Sequence, residues 1–168
     1  SLNSAQGDRN IMAALSRFGA RVVRASGAAR VQPDHLSAFT LSAQDVPDLV
    51  PVISAVAAVA QGTTVVSDCA RLRIKESDRL ATTASELSNL GANIRTCGDS
   101  LVIHGVERLA GGTVDSHNDH RIAMMAAVAA IRCDGPVLIH GAEAVQKSYP
   151  DFFDHYRMLG GDVEFFEE

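Results

Sequence analysis

The chain has 168 residues, of which 46% are hydrophobic, so it can bury a core, and we expect one globular domain over residues 1–168. The formal net charge of -5 and the lack of any Lys/Arg-rich run exclude nucleic acid and an anionic membrane surface as the main partner. The three cysteines are far apart and form no C-x-x-C pair, which argues against a zinc ribbon or a disulfide framework and fits the reducing cytoplasm.

The first residues indicate a piece of a longer protein. The chain begins at Ser1 rather than at methionine, and residues 1–7 are small and polar. No signal peptide is recognisable. The longest apolar stretch, residues 49–60, contains a proline and a serine and is too short to span a bilayer. We therefore expect a cytoplasmic domain whose beginning is either cut from a larger chain or carries an expression scar.

Three segments along the chain share one pattern. In each, a polar-apolar helix ends at an aromatic residue or a leucine, a glycine follows, and a strand begins. The glycines are Gly19, Gly91 and Gly160, and they lie 72 and 69 positions apart. A glycine in this place supplies the left-handed backbone that ends a helix. The near-equal spacing predicts one folding unit that occurs about three times along the chain, with a strand near Val163 in the last copy.

Two further helices, at residues 47–60 and 119–131, are predicted to be central. Both are apolar on nearly every face, which is typical of helices buried all round. Each leads into a strand, at residues 63–66 and 137–139.

A hairpin is predicted between these helices, because residues 94–97 and 101–103 alternate about a turn at Gly98-Asp99. Strands thus alternate with helices along the whole chain. This order predicts an α/β domain with antiparallel or mixed sheets and buried helices, rather than a doubly wound parallel sheet.

Residues 73–80, Arg-Ile-Lys-Glu-Ser-Asp-Arg-Leu, are predicted to open a helix with cations. Lys75 and Arg79 are four apart, so on one helix face they would repel by about 0.2–0.5 kcal/mol. The positive end of the helix dipole disfavours each of them by a further ~0.3–1 kcal/mol. A phosphate or carboxylate ligand would compensate, with Glu76 as a candidate proton carrier. The alternative is a solvated helix start in which Glu76 and Arg79 form an ordinary surface pair.

Other unusual polar residues also occupy helix starts. Asp48 and His120 are 72 positions apart, and so are Lys75 and Lys147. The polar residues therefore recur with the scaffold, and we expect a cluster around a small, multiply anionic ligand. Its members are Lys75, Arg79, Arg121 and Lys147, with Asp48 and Glu76 as the acids.

Several of these polar residues, and the neighbouring Asp119 and His120, also have simpler interpretations. Asp48 and Asp119 can serve only as helix caps, and His120 can be a hydrogen-bonded structural histidine. Lys147 alone would be an ordinary surface lysine. His117-x-x-His120 is too weak a pattern to predict a metal site without a third ligand.

Three motifs, Lys-Glu-Ser-Asp-Arg-Leu at 75–80, Asn-Asp-His-Arg-Ile-Ala-Met at 118–124 and Lys-Ser-Tyr-Pro-Asp-Phe at 147–152, resemble known signatures in order and spacing. They are similar to the carboxy-terminal motifs of the 5-enolpyruvylshikimate-3-phosphate synthase family, the 3-phosphoshikimate 1-carboxyvinyltransferases. Val-Pro-Asp at 46–48 resembles the aspartate motif of that family. The resemblance extends from about Gly7 to the end of the chain.

The resemblance implies an enolpyruvyl transferase-like fold. Members of the family have two similar lobes, each of three βαβαββ units with buried helices and sheets outside, and an active site between the lobes. This chain resembles the carboxy-terminal lobe alone. The lysine, serines, glutamine and further arginine of the other lobe have no counterpart here. The resemblance therefore implies a missing amino-terminal lobe as partner, and no turnover by this chain alone.

The reaction implied by the resemblance belongs to the shikimate pathway of aromatic amino acid biosynthesis. The enolpyruvyl group of phosphoenolpyruvate is transferred to the 5-hydroxyl of shikimate 3-phosphate, and phosphate is released. No metal or organic cofactor is implied. Asp48 resembles the residue that binds the shikimate hydroxyls and accepts a proton. Lys75 resembles the lysine between the substrates, and Glu76 the acid that protonates the methylene carbon.

The remaining motif residues resemble the ligands of the substrate anions. Arg79 and Arg121 are similar to the pair that binds the phosphoenolpyruvate carboxylate, with His120 beside them. Lys147 resembles a phosphate or carboxylate ligand. Arg71 stands where some members carry an asparagine that contacts the sugar-like substrate, and no role is assigned to it.

Rival functions stay open at this stage. One is the lobe of a UDP-N-acetylglucosamine enolpyruvyl transferase, which the sequence of residues 75–79 fits less well. Another is a non-catalytic anion-binding module on the same repeat. A third, a nucleic-acid end-processing enzyme with a catalytic His120, disagrees with the acidic charge balance.

Overall fold

The structure is a computed structural model, and it describes residues 10–25, 28–32, 34–44 and 46–166. Residues 1–7, which suggested a cut chain, lie outside these ranges. In chain order the elements are α1 (Ile11–Arg17), β1 (Arg21–Ala25), β2 (Ala28–Gln32), β3 (Thr40–Ser42), α2 (Val50–Ala57), β4 (Thr63–Ser67), α3 (Arg79–Asn89), β5 (Asn93–Cys97), β6 (Ser100–His104), β7 (Gly112–Asp115), α4 (His120–Ala130), β8 (Val137–His140) and α5 (Phe152–Met158). Short 3-10 helices at Pro47–Leu49, Cys69–Ile74 and Ala142–Lys147 precede α2, α3 and α5. Across the described ranges, no helix has the length and apolar character needed to cross a membrane.

The strands form mixed sheets, as predicted. The largest sheet has the order β3-β4-β6-β5, in which β3 and β4 are parallel while β6 is antiparallel to both of its neighbours. Strands β5 and β6 form the expected hairpin, with Cys97 opposite Ser100 across the turn. Two smaller sheets consist of the antiparallel pair β1-β2 and the parallel pair β7-β8. The mixed α/β prediction is confirmed.

The sheets also display the repeat. A parallel pair joined through a buried helix occurs twice, as β3-α2-β4 and as β7-α4-β8. The helix-ending glycines Gly19, Gly91 and Gly160 all have left-handed backbone, with φ of 103°, 92° and 96°. The predicted glycine caps are therefore confirmed.

The strand expected near Val163 is wrong, because the described residues 161–166 form no strand. A strand needs a neighbouring strand to bind its backbone groups. Here the Val163 carbonyl accepts a hydrogen bond from the Arg157 guanidinium instead, at 2.8 Å from Nη2.

The two apolar helices lie at the centre, as predicted. One face of α4 joins α2 in the main core, through residues such as Ile122 and Met125 that are fully buried. Its other face, with Ala123 and Ala127, packs in a second cluster against Phe153 of α5. Because α4 has neighbours on both faces, its lack of a polar stripe is explained.

The single helix predicted at residues 47–60 is shorter in the structure. Pro51 has no N–H, so it cannot donate to the Pro47 carbonyl as an α-helix would require. The Val50 N–H donates to that carbonyl instead, which makes the first turn a 3-10 helix. Asp48 therefore lies in this first turn, ahead of α2.

Candidate active site

An open cavity of about 330 Å³ lies where three segments begin or turn: the 3-10 helix before α2, the loop before α3 and the first turn of α4. It is lined by Asp48, Ile74, Lys75, Glu76, Arg79, His120 and Arg121. Six of the seven site residues predicted from the sequence are in this set. The exception is Lys147.

The start of α3 differs from the prediction. The helix begins at Arg79, and the side chain of Asp78 caps it by accepting a hydrogen bond from the Ala81 N–H at 3.1 Å. Lys75 precedes the helix in an extended conformation, with ψ of -163°. The expectation that Lys75 and Arg79 share one helical face is therefore wrong. Asp78 sets the start because an aspartate satisfies helix N–H groups better than Lys75 or Glu76 would.

Arg79 is the buried centre of the site, with a side chain that is only 1% exposed. Its Nε and Nη2 bind the two carboxylate oxygens of Asp119, at 2.7 and 3.1 Å. Nη1 donates to Asp48 at 2.7 Å, and Nη2 also donates to Glu76 at 2.6 Å. At least four of the five N–H donors of a guanidinium are thus engaged by carboxylates.

The charge of Arg79 is stabilised despite its burial. Burial lowers the pKa of the guanidinium, but the bond with Asp119 and the charges of Glu76 and Asp48 raise it more, so the pKa lies above its ordinary value. The interpretation of Glu76 and Arg79 as an ordinary surface pair is therefore wrong, because the arginine is buried.

From the sequence alone, Asp119 was predicted only as a helix cap, but in the structure it also belongs to the site. Its Oδ1 does accept from the Arg121 N–H, at 2.9 Å, which makes it the N-cap of α4. Asp119 is also fully buried, and its Oδ2 accepts from Ser77 Oγ at 2.9 Å as well as from Arg79. Its position directly before His120 and Arg121 was the available sequence signal, but its pairing with Arg79, 40 positions away, had no local signal.

Burial raises the pKa of Asp119, yet the hydrogen bonds from Arg79 and from the Arg121 N–H lower it further than burial raises it. Asp119 is therefore a carboxylate throughout the neutral range. It orients Arg79 without lining the cavity itself.

Asp48 and Lys75 form the second ion pair, with 3.1 Å between Nζ and Oδ1. Burial raises the pKa of Asp48, but the hydrogen bond and charge of Lys75, followed by the charges of Arg121 and Arg79, lower it to below its ordinary value. Asp48 is thus ionised and can accept a proton or bind hydroxyl groups.

His120 presents a neutral imidazole. Burial lowers its pKa, the charge of Asp119 opposes this, and the charges of Arg121 and Arg79 lower it further. The ring Nδ1 is buried and has no hydrogen-bond partner within the part of the chain that the structure describes. The interpretation of His120 as a hydrogen-bonded structural histidine is therefore not supported at Nδ1.

Lys147 lies next to the cavity-lining segment of α4 rather than in the cavity lining. Its Nζ donates to both oxygens of Asn118, the backbone carbonyl at 2.5 Å and Oδ1 at 2.6 Å. Asn118 directly precedes Asp119, so Lys147 is connected to the site through this turn.

His117 contacts Glu86 on α3, with 2.9 Å between Nε2 and Oε1. In the described ranges, no three or more His, Cys, Asp or Glu side chains are grouped so that they could hold a metal ion.

A family model described as EPSP synthase (3-phosphoshikimate 1-carboxyvinyltransferase) matches residues 1–156. The chain belongs to the EPSP synthase family. It is 46% identical over 162 residues to a 3-phosphoshikimate 1-carboxyvinyltransferase of Clostridium acetobutylicum, and 45% identical over 163 residues to that of Clostridioides difficile. Each comparison covers 96% of this chain but only 37% of the relative.

The fold agrees with the family. A solved EPSP synthase of Acinetobacter baumannii superimposes with a TM-score of 0.81 at 30% identity. That superposition covers 94% of this chain and 40% of the other. The chain therefore spans about two fifths of the length of the EPSP synthases that it matches, and the prediction of an enolpyruvyl transferase-like fold is confirmed.

Proposed function

We propose that this chain is the carboxy-terminal lobe of a cytoplasmic 3-phosphoshikimate 1-carboxyvinyltransferase, with residues 1–168 as one domain. The complete enzyme would transfer the enolpyruvyl group of phosphoenolpyruvate to the 5-hydroxyl of shikimate 3-phosphate and release phosphate. The observation that carries the proposal is the cavity, in which Lys75, Arg79 and Arg121 meet Asp48 and Glu76. Cations for two anionic substrates and carboxylates for proton transfer are the groups that this reaction needs.

Arg79 and Arg121 would bind the carboxylate of phosphoenolpyruvate. Asp119 occupies the inner edge of Arg79, so only the outer edge, now bonded to Asp48 and Glu76, is available to a ligand. The side chains of Asp48 and Glu76 are 39% and 44% exposed, which leaves them room to move. An arriving carboxylate would replace one of them on the guanidinium.

This exchange would couple binding to chemistry. A carboxylate arriving at Arg79 Nη2 would release Glu76 from its 2.6 Å bond, and the freed Glu76 carboxylate would take up a proton from solvent and pass it to the methylene carbon as the hydroxyl adds. The same carboxylate would then remove a proton from the resulting methyl group as phosphate leaves. Asp48, which is ionised, would accept the proton of the 5-hydroxyl. Lys75, bound to Asp48 at 3.1 Å, would lie between the two substrates and stabilise the negative charge on both.

The other half of the site would come from an amino-terminal lobe of the same protein. The cavity is open, and the relatives contain more than half of their length outside the matched part. A second lobe closing over this cavity would exclude water and strengthen every charge interaction within it. Lys147, beside the cavity, would contact a phosphate or carboxylate only in that closed arrangement. No metal or organic cofactor enters the proposed steps.

The proposal is tested in the complete enzyme by replacing Arg121. Phosphate release from phosphoenolpyruvate and shikimate 3-phosphate is measured for the wild type, Arg121→Ala and the control Arg95→Ala, an exposed arginine on β5. Two charge-assisted hydrogen bonds are lost in Arg121→Ala, so kcat/KM should fall about a hundredfold or more while the circular dichroism spectrum is kept.

Near-normal kinetics of Arg121→Ala would remove this arginine from the site. Wild-type turnover with UDP-N-acetylglucosamine in place of shikimate 3-phosphate would identify the other enolpyruvyl transferase. Binding of the anions with turnover of neither acceptor would instead support the non-catalytic module.

A further inference from the structure

Glu86, on α3, is a buried carboxylate that does not line the cavity. Its Oε1 binds His117 Nε2 at 2.9 Å, and its Oε2 accepts from the Asp115 N–H at 3.1 Å. Burial raises the pKa of Glu86, but the hydrogen bonds from His117 and from the Asp115 N–H lower it to below its ordinary value. A buried anion is costly and persists where it satisfies particular groups. Two of those groups, the His117 imidazole and the Asp115 N–H, belong to the segment before α4, and the other two, Ser85 Oγ at 2.8 Å and Asn89 Nδ2 at 3.2 Å, lie on α3 itself.

The turn in the segment before α4 has an unusual backbone. His117 and Asn118 are consecutive residues other than glycine with left-handed conformations, at φ of 50° and 55°. Such residues persist only when their surroundings hold them, and they concentrate at functional sites. Glu86 binds the turn through His117, and Lys147 binds it through Asn118. The next residue is Asp119, the buried partner of Arg79.

Glu86 also lies on the same helix as Arg79, two helical turns further along. Helix α3 therefore contacts the 115–119 segment through two of its residues, Arg79 with Asp119, and Glu86 with both His117 and the Asp115 N–H. Two points of contact fix both the distance and the rotation of a helix against its neighbour, whereas the helix can still rotate about a single point of contact. The second contact lies outside the cavity lining.

We propose that Glu86 and His117 form a positioning pair that holds the turn at residues 117–118. The turn fixes Asp119, and Asp119 orients Arg79 and the first turn of α4, which carries Arg121. The inference rests on the proposed function, because the arginines it aligns are those assigned to the phosphoenolpyruvate carboxylate. Neither residue of the pair touches the substrate.

The test uses the complete enzyme with His117→Phe, which removes the Nε2 donor, and His117→Gln, which keeps an N–H donor at similar reach. The control is His104→Phe, which removes an imidazole bond to Thr63 on the outer sheet. In His117→Phe the KM for phosphoenolpyruvate should rise about tenfold or more, while the KM for shikimate 3-phosphate changes less than about threefold. In His117→Gln, the KM for phosphoenolpyruvate should return to within about threefold of the wild-type value.

A purely structural role would change kcat rather than the KM for phosphoenolpyruvate. Partial unfolding lowers the fraction of active enzyme, so kcat would fall while both KM values stay the same, and that result would overturn the inference. His117→Gly separates the ring from the backbone, because glycine adopts the left-handed conformation freely. If His117→Gly binds phosphoenolpyruvate like the wild type, the ring is unnecessary and the pair has no positioning role.

Backbone hydrogen exchange without substrates keeps the two proposals apart. In His117→Phe, the amides of residues 117–121 should exchange about tenfold faster than in the wild type. An inactive wild-type enzyme with this exchange result would refute the proposed function alone. An active wild type, together with unchanged exchange or unchanged KM in His117→Phe, would refute the positioning pair alone.

Discussion

At the scale of single residues, the site depends on one buried cation and the carboxylate behind it. The side chains of Arg79 and Asp119 are 1% and 0% exposed, so neither charge is screened by water. A buried charge that loses its partner costs about 3–5 kcal/mol, so the pair specifies one arrangement even where it adds little net stability. The exposed carboxylates of Asp48 and Glu76 complete the shell of Arg79 and are the members that a ligand can replace.

The buried His120 predicts a pH dependence of stability. Its folded pKa is lowered, chiefly by burial, so the unfolded chain takes up a proton below the ordinary pKa of 6.5 while the folded chain does so only at lower pH. The free energy of unfolding should therefore decrease as the pH falls from 6.5 toward the lowered value.

The measurement is urea unfolding between about pH 7.5 and 5.5 on the wild type and on His120→Gln, which cannot titrate. In the variant, the free energy of unfolding should lack the part of its decrease with falling pH that His120 causes. Equal slopes in the two proteins would show that His120 is not the group responsible.

At the scale of elements, the cavity is made of segment starts. The 3-10 helix Pro47–Leu49 contributes Asp48, α3 contributes Arg79 as its first residue, and α4 contributes His120 and Arg121. The first N–H groups of a helix have no partner within the helix, and aspartates satisfy some of them here. The exact residue at which α3 begins therefore decides where Arg79 points.

Asp78 should be worth about 1 kcal/mol as the cap of α3. We expect Asp78→Ala to lower the free energy of unfolding by roughly that amount, whereas Asp78→Ser, which can still accept from the Ala81 N–H, should lose much less. Urea unfolding at neutral pH measures both variants.

Asp78 also pairs with Arg73 at 3.4 Å, but both side chains are about two fifths exposed, so the ion pair contributes little. An equal loss in Asp78→Ala and Asp78→Ser would assign the effect to this ion pair and contradict the cap.

At the scale of the whole molecule, the formal charges of the site cancel. Lys75, Arg79 and Arg121 are matched by the carboxylates of Asp48, Glu76 and Asp119, and the cavity is open. An anion entering it must compete with carboxylates already in place and with water. High affinity would require further cations, which the proposed amino-terminal lobe would bring.

The chain by itself should therefore bind phosphoenolpyruvate weakly, with a Kd of about 1 mM or above. Isothermal titration calorimetry on this chain measures the affinity, and Arg121→Ala is the matched variant in which the remaining heat should disappear. Tight micromolar binding by the chain alone would contradict the two-lobe proposal.

Much of the fold was predictable because its signals are local. The glycine at each helix end, the turn at Gly98-Asp99 and the apolar faces of α2 and α4 depend on residues within a few positions of one another, and the structure confirms them. Boundaries were less predictable where two local effects competed. Pro51 shortened the predicted helix at 47–60, and Asp78 moved the start of α3 past Lys75.

The sequence by itself determined which polar residues could form the site, since six of the seven predicted residues line one cavity. Only the tertiary structure decided how they are held. It buried Arg79, made Asp119 its partner 40 positions away, turned Lys147 to Asn118 and joined Glu86 to His117. The physical reason is distance along the chain: contacts between residues 29 to 42 positions apart exist only after separate helices have packed, and no local pattern encodes that packing.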